Sequence, residues 1–406
     1  MLKALGIILH ENAKFPKQED HPMWPQEFIW FFAIFHQEFR KGNRIAFEVL
    51  MTLAFAHFFG FYNPKQLADF LGIPHQKFYT ELKDWSLYHV KKMLLRFMVK
   101  QGVEHLKPVL NKSAATQSRA GMTLAIDNSV IDRCGKLLRC TWSWFSGRCH
   151  GVVRGQDLLG IVLTINHMAL PLHLLFCPKQ GRYHTNKADL LIFMLSCLKE
   201  EFALAGIDIT NIPLTMDSWF VSQPLRERLH RLGFTKIIIA GKSNYTFTIG
   251  DKKQDAPQWK KALVLDDPQW GIDVPSCRIR AHSPTFGSLI LFFFRKSTTR
   301  SYYLMNFSQG SMRGAEIWHI WKQHHLIEYF WKMLKSIFHI RSMQLQGDGL
   351  YTALLIKILA YLLALRMKAR REFSKWTNTQ MMRHLSRHHD LRDFMTMHFH
   401  DAFSIT

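Results

Sequence analysis

The spacing of apolar positions in the first 115 residues is that of helices. The clearest stretch is NPKQLADFLGIPHQKFYTELKDW (63–85). Asn63 and Pro64 are typical of a helix start, and Gly72 is typical of the turn that ends a helix. This stretch therefore predicts two short helices around a glycine-containing turn, the second one opening near Pro74.

Beyond a polar linker at 111–121, the pattern changes to short apolar runs separated by helical segments. Strands are predicted at 122–127, 137–145, 158–176, 212–217 and 235–241, with the third dividing near Asn166–His167. Helices are predicted at 187–206 and 223–233. Leading strands followed by alternating helices and strands indicate a mixed α/β sheet with crossover connections.

Residues 242–310 interrupt this alternation. Polar turns separate strand-like runs such as GSLILFFFRK, which indicates a β-rich insertion. Helical spacing resumes in one long helix at 314–339 and in a very apolar helix at 350–366. A basic, histidine-rich tail follows from Met367.

The apolar helix at 350–366 raises the question of a membrane. Lys357 stands at its centre, where a charge is costly in a bilayer, and 17 residues is about the shortest span. We therefore interpret it as a core helix and expect no membrane partner.

The charge balance then points to nucleic acid. The chain of 406 residues carries 53 Lys+Arg against 31 Asp+Glu, a net charge of +22. An excess of this size predicts an anionic partner. In this context the pair of helices at 63–85 resembles a helix-turn-helix, with Gln76 and Lys77 placed to contact DNA, although an ordinary pair of packed helices has the same pattern.

The cysteines indicate a reducing compartment. Six are scattered without a Cys-x-x-Cys pair, which predicts free thiols in a cytoplasmic protein. A metal-binding cluster of Cys140, Cys149 and His150 is a weaker alternative.

Two acids close apolar strands that are expected to be neighbours. Asp127 follows LAI and Asp217 follows PLTM, so both would lie at one rim of the sheet, where α/β folds place their sites. Together with a glutamate from a helix packed across them, they would offer oxygen ligands to Mg²⁺. Capping of the next helix is a competing role for Asp217.

Glu328 is the candidate for that glutamate. In one continuous helix it shares a stripe with Trp321, His324, Lys332 and Lys335, while Ile327, Phe330 and Leu334 form a core face. An ordinary Glu–Lys pair is the simpler interpretation, and Glu316 is the rival acid on the same helix.

Four segments resemble the DDE transposases of bacterial insertion sequences, in the ribonuclease-H-like cut-and-paste group with a β-strand insertion. These are LAIDNSVIDRCGK, VVRGQDLLGIVLTINHMALPLHLLF, LTMDSWF and YYLMNFSQGSMRGAEIWHIWKQHHLIEYFWKMLK. Together they span roughly residues 120–366. In that family Asp-Asp-Thr often stands where this chain has Asp127, Asn128 and Ser129.

The family signature around its glutamate is Tyr, two residues, Arg, three residues, Glu, six residues, Lys. The same spacing here gives Trp321, His324, Glu328 and Lys335. The resemblance implies that Trp321, His324 and Lys335 contact DNA together with Lys332, although His324 lacks the permanent charge of an arginine. Lys242, after the strand at 235–241, would contact a phosphate or be a solvated lysine.

The resemblance implies a ribonuclease-H-like catalytic domain at 120–241 and 311–366, with the insertion at 242–310. A helical DNA-binding domain at 1–115 and a basic tail at 367–406 complete the predicted division.

In function, the resemblance implies a bacterial, nucleoid-associated transposase that binds inverted-repeat ends, cleaves them and joins the 3′ ends to target DNA. Asp127, Asp217 and Glu328 would hold two Mg²⁺ ions, or Mn²⁺, and a homodimer would pair the ends. A non-catalytic DNA-binding protein and a metal-dependent nuclease are the alternatives. Trp259 and Trp270 are candidates for holding a displaced base, against a simpler role in the core.

Overall fold

The structure, a computed structural model, describes most of the chain between residues 44 and 388. The described ranges are 44–83, 86–112, 121–133, 138–146, 149–179, 185–263, 273–297, 300–310, 312–343, 345, 347, 349–369 and 373–388. Trp270 and the end of the basic tail lie outside them. The chain divides into two compact units: Met1–Met93, Leu137–Arg139 and Met333–Thr406 form unit 1, and Leu94–Lys136 and Cys140–Lys332 form unit 2.

Helices are numbered in chain order. They are α1 (Arg44–Ala56), α2 (Pro64–Leu71), α3 (Gln76–Lys83), α4 (Leu87–Leu110), α5 (Lys187–Leu204), α6 (Gln223–Arg231), α7 (Ala256–Ala262), α8 (Gly314–His324), α9 (Leu326–Ser336), α10 (Gly349–Lys368) and α11 (Asn378–His388).

The strands all belong to unit 2. They are β1 (Thr123–Asp132), β2 (Trp142–Ser146), β3 (Gly151–Ile165), β4 (Met168–Phe176), β5 (Leu214–Met216), β6 (Ile237–Ala240), β7 (Thr246–Ile249), β8 (Lys252–Asp255), β9 (Ser276–Ser283), β10 (Gly287–Ser297) and β11 (Arg300–Asn306).

These strands form one mixed sheet. Its order among the described residues is β2-β3-β1-β5-β6-β11-β10-β9-β7-β8, and β4 pairs with β3. Strands β1, β5 and β6 run parallel, whereas β1–β3, β3–β4 and β6–β11 are antiparallel. The predicted mixed α/β fold with a β-rich insertion is therefore confirmed, and the insertion strands extend the same sheet through β11.

The third predicted strand divides where expected. Asn166 and His167 form the two-residue turn between β3 and β4, with positive φ angles of 49° and 62°. Such a turn twists in the sense of the strands it joins, and asparagine tolerates this conformation better than most residues.

The two helices predicted at 63–85 are also present. The Asn63 side chain accepts a hydrogen bond of 2.9 Å from the Gln66 backbone, and Pro64 occupies the first turn of α2. Gly72 ends α2 in the left-handed conformation, and Phe78 is buried on α3.

Helix α10 is a core helix of unit 1, as predicted. Within the described residues it is the one helix long and apolar enough to cross a membrane, yet 89% of its most apolar window is buried in the protein. Even Lys357 at its centre is fully buried.

The prediction of one long helix at 314–339 is wrong, because His325 separates two helices, α8 and α9. Helix α8 packs on the sheet through Ile317, Trp318 and Trp321, in a cluster with Phe292 and Phe294 of β10. Helix α9 begins at Leu326, so Glu328 lies in the first turn of a helix and not in the middle of one.

Candidate active site

The register of two parallel strands places Asp127 and Asp217 side by side. Ile126 of β1 pairs with Met216 of β5, and each acid is the next residue along its strand. The expectation that Asp127 ends its strand is wrong. Strand β1 continues to Asp132, because β3 pairs with it along its whole length, from Thr123↔Thr164 to Asp132↔Gly155.

The surroundings of Asp127 disfavour its negative charge. The pKa of Asp127 is raised to about 7 by burial and, in addition, by the charges of Asp217 and Glu328, against the opposing hydrogen bond from the Asn128 backbone. Like charges within reach of a buried carboxyl act in this way. The charges that act on Asp127 are therefore those of the two other predicted acids, Asp217 and Glu328, and not that of the rival Glu316.

Asp217 and Glu328 both reach solvent. Oδ1 of Asp217 accepts a hydrogen bond of 2.7 Å from the backbone of Ser218, so it also caps the short 3-10 turn Ser218–Phe220. The capping role weighed for Asp217 is real and leaves its second oxygen available. Nδ1 of His325 lies 3.4 Å from Oε1 of Glu328, whose side chain is 67% exposed.

A glycine and a tryptophan shape the floor beside Asp127. Gly160 of β3 pairs with Asp127, and a Cβ on Gly160 would lie 2.8 Å from the Trp331 ring. Because only glycine leaves this space, the indole of Trp331 lies against the strand. It interacts with Asp127 and lowers the pKa of that carboxyl, although its N–H makes no hydrogen bond of ordinary geometry.

Asn128 explains one departure from the family pattern. Its side chain donates a hydrogen bond of 2.8 Å to Asp157 on β3, whose carboxyl is buried. A second acid at position 128 would repel Asp157, whereas the amide satisfies it. The other oxygen of Asp157 lies 2.7 Å from Nζ of Lys187.

His324 and Trp321 lie in the core, a position that does not support the DNA contacts predicted for them. Only 5% of His324 and 6% of Trp321 is exposed, and their rings stack 4.5 Å apart. Burial lowers the pKa of His324 to about 4, so the ring is neutral at pH 7. A neutral, buried imidazole cannot replace an arginine that grips phosphate.

Hydrogen bonds show what His324 does instead. The Thr123 hydroxyl donates to the Pro213 carbonyl, Thr215 Oγ1 lies 3.1 Å from Thr123 Oγ1, and His324 Nδ1 lies 3.1 Å from Thr215 Oγ1. Since the carbonyl can only accept, each hydroxyl in turn donates towards it, and Nδ1 carries the proton that starts the chain. His324 thereby ties α8 to β5 at Thr215, the residue before Met216.

The other predicted DNA contacts vary in exposure. Lys332 and Gln76 are exposed, while Lys335, Lys77 and Lys242 are partly buried. Trp259 is a core residue whose Nε1 donates to the Phe247 carbonyl at 2.9 Å. A base-holding role for Trp259 is therefore wrong.

The carboxylates match Mg²⁺ in chemistry but do not form a closed ligand set. Within the described ranges, no three His, Cys, Asp or Glu side chains lie close enough together to hold a metal ion. Asp127, Asp217 and Glu328 nevertheless supply only carboxylate oxygens, the donors that Mg²⁺ takes in proteins. Cys140, Cys149 and His150 form no such group either.

Sequence reasoning missed Gly160, Trp331 and the Asp157–Lys187 pair. The one available signal was the presence of Gly160 and Asp157 in the apolar part of β3, since neither residue type suits a buried strand without a specific contact.

No protein-family model matches the chain, and no curated protein matches it. Among solved structures, the chain resembles the cryo-EM structure of the piggyBac transposase synaptic complex with hairpin DNA. The TM-score is 0.42 at 13% sequence identity, covering 92% of this chain and 83% of that chain. At this TM-score, the function of the present chain has to be argued from its own residues.

Proposed function

We propose that this chain is a DNA transposase that cleaves the ends of a mobile element and joins their 3′ ends to target DNA. The observation that carries the proposal is the placement of two aspartates side by side, with Glu328 near enough for its charge to act on one of them. Asp127 and Asp217 follow paired residues of parallel strands, and the charges of Asp217 and Glu328 act on Asp127. A net charge of +22 supports DNA as the substrate.

Asp127, Asp217 and Glu328 would hold two Mg²⁺ ions, for which Mn²⁺ can substitute. Bound there, the ions would activate the attacking oxygen and stabilise the leaving oxygen in phosphoryl transfer. Asp127 must be ionised to serve as a ligand, and its raised pKa means that it holds a proton for part of the time at pH 7 without a cation.

Neighbouring residues would hold the acids in position. The His324–Thr215 hydrogen bond fixes the end of α8 on β5, and Trp331 closes the floor beside Asp127. Lys332, exposed one turn beyond Glu328, would contact a DNA phosphate. We extend the proposal to inverted-repeat ends of a bacterial insertion sequence, paired by a homodimer in the cytoplasm.

The test is a cleavage and joining assay on DNA that carries the repeats flanking the coding region. With Mg²⁺, the wild type should cut these ends and join them to a second DNA, and Glu328→Gln should do neither. Glu316→Gln is the matched control, because it removes an acid from the first turn of the neighbouring helix without touching the three-acid site.

Three results would overturn the proposal in different ways. Equal cutting by wild type and Glu328→Gln would refute the three-acid site. Binding without cutting would favour a non-catalytic DNA-binding protein. Cutting without joining would favour a metal-dependent nuclease.

A further inference from the structure

A cleft of about 530 Å³ in unit 2 is lined by two tryptophans and several cations. Its walls include Trp144 of β2, Trp219 after β5, and the side chains of Lys179, Lys187 and Arg228. None of these side chains belongs to the three-acid site. The volume lies in the range of small-ligand sites.

Trp219 is held outward beside a proposed catalytic acid. The side chain is 65% exposed, and it lies two residues after Asp217 in the turn Ser218–Phe220. Phe220 is buried beneath the turn, and the Asp217 carboxylate caps it. The turn thus presents a large aromatic face to solvent from a fixed base.

Lys187 lies between the two indole rings. Its Nζ is 5.4 Å from the centroid of Trp144 and 5.3 Å from that of Trp219. The buried carboxylate of Asp157, 2.7 Å away, fixes this ammonium. Both rings therefore face one cation.

Two further lysines flank the rings. Lys179 lies 5.1 Å from the Trp144 centroid and donates to the Ser143 carbonyl, and Lys242 lies 5.9 Å from the Trp219 centroid. No described residue forms an ion pair with either lysine. In addition, the buried Nε1–H of Trp144 makes no hydrogen bond to the described part of the chain.

We propose that this cleft binds an unpaired nucleotide of the DNA strand that is cut at Asp217. The base would stack on Trp219, and Lys179 and Lys242 would hold its flanking phosphates. Aromatic faces combined with cations are the general means of binding single-stranded nucleic acid, because every base has a face to stack. A peptide would also contact the rings, but two lysines without an ion-pair partner among the described residues and the position next to Asp217 favour a nucleotide. The assignment of the strand rests on the proposed function.

The experiment measures binding of a short oligodeoxythymidylate carrying one 2-aminopurine, without divalent cation, by fluorescence anisotropy and by quenching of the 2-aminopurine. Trp219→Ala should weaken binding about tenfold and abolish the quenching, since one stacked base contributes this much. Trp219→Phe should retain both, because it keeps an aromatic face. Phe145→Ala is the matched control: that ring is 67% exposed on the same strand as Trp144 but does not line the cleft.

A duplex of the same length separates stacking from general attraction to phosphates. Trp219→Ala should leave duplex affinity within about twofold, which is small beside the stacking loss. An equal loss for duplex and single strand, or unchanged single-strand binding in Trp219→Ala, would overturn the inference.

The cleavage assay keeps this inference apart from the proposed function. If cleavage depends on Glu328 while Trp219→Ala binds the oligonucleotide like wild type, only the nucleotide cleft is refuted. If the wild type cuts no DNA but Trp219→Ala still loses single-strand binding, the proposed function is refuted and the cleft stands.

Discussion

Asp127 in the sheet of unit 2 and Lys357 in helix α10 of unit 1 are both poorly accessible charged groups, yet their surroundings treat them in opposite ways. Nζ of Lys357 donates to Nε2 of His57 at 2.7 Å and to the Tyr62 carbonyl at 2.8 Å. Asp127 instead meets the charges of two other acids, which raise its pKa after burial has done so.

His57, the partner of Lys357, is in the protonation state that accepts a hydrogen bond at Nε2. Nδ1 of His57 lies 2.6 Å from the Leu53 carbonyl, so Nδ1 carries a proton. Burial and the charge of Lys357 lower the pKa of His57 well below its usual value. The ring is therefore neutral, with Nε2 free to accept from the ammonium.

The difference separates a structural charge from a functional one. The protein itself completes the surroundings of Lys357, as expected for a charge kept in a core. The carboxyl of Asp127 is unfavourably placed in the protein alone, as is typical of functional sites, and under the proposed function a bound cation would relieve this. Substitutions at the two residues should therefore have opposite consequences.

The largest effect is expected from Asp127→Asn, which should reduce DNA cleavage to the background of the assay. The same change should stabilise the metal-free protein at pH 8. The folded-state pKa of about 7 lies above the 3.8 of an unperturbed aspartate, so between pH 3.8 and pH 7 the folded state binds more protons than the unfolded state. Stability then falls as pH rises through this window, by up to about 4 kcal/mol.

Thermal unfolding in EDTA at pH 5 and pH 8 measures this effect. The wild type should lose more stability than Asp127→Asn between the two pH values. Asp208→Asn, at an exposed acid, is the control and should keep the wild-type slope. A parallel slope in Asp127→Asn would show that the Asp127 carboxyl is not disfavoured.

Lys357→Met should do the reverse and lower stability by about 1–3 kcal/mol, because it leaves the buried His57 Nε2 without its donor and removes one of the two donors to the Tyr62 carbonyl, the other being the Ser342 hydroxyl. Chemical denaturation measures the loss, and Lys375→Met, at an exposed lysine, serves as the control. A loss no greater than that of the control would mean that the network is not a structural element of unit 1.

Gly160→Ala should cost about 1–3 kcal/mol, since the new methyl overlaps the Trp331 ring at 2.8 Å and has to displace it. Gly151→Ala on the same strand is the control, because its Cβ would meet only the Cys149 carbonyl at 3.6 Å. Cleavage should fall in Gly160→Ala beyond what the stability loss explains. If folded Gly160→Ala cleaved DNA normally, Trp331 would have no role in the site.

The smallest expected effect distinguishes the DNA contact proposed for Lys332 from the structural role of His324. Lys332→Ala should reduce the slope of log affinity against log salt by about one, the loss of one phosphate contact. His324→Leu should leave that slope unchanged and lower stability, because its buried hydrogen bond to Thr215 is lost. Anisotropy titrations with duplex DNA at several salt concentrations would distinguish the two variants. A changed salt slope in His324→Leu would show that His324 contacts a phosphate after all.

Much of the fold could be predicted, because local patterns determine it. The residue pair Asn166–His167 indicated the turn between β3 and β4. Asn63, Pro64 and Gly72 indicated the helix pair α2 and α3. The break at His325 could not be predicted, since the apolar spacing continues across it without proline or glycine.

The candidate site was predictable only in part. The sequence pointed to three acids, but the Ile126↔Met216 register and the contact of Gly160 with Trp331 depend on long-range pairing. The stripe drawn through Trp321, His324 and Glu328 failed because packing of α8 on the sheet buries the first two, whereas Glu328 is exposed. The predicted domain division and the roles in DNA binding stay predictions.

The most direct test of the three-acid site is Mn²⁺ binding, measured by electron paramagnetic resonance of the free ion at pH 8. Asp127→Asn, Asp217→Asn and Glu328→Gln should each weaken binding by about tenfold or more, and Glu316→Gln should bind like wild type. Wild-type affinity in any of the first three variants, or an equal loss in Glu316→Gln, would contradict a metal site built from Asp127, Asp217 and Glu328.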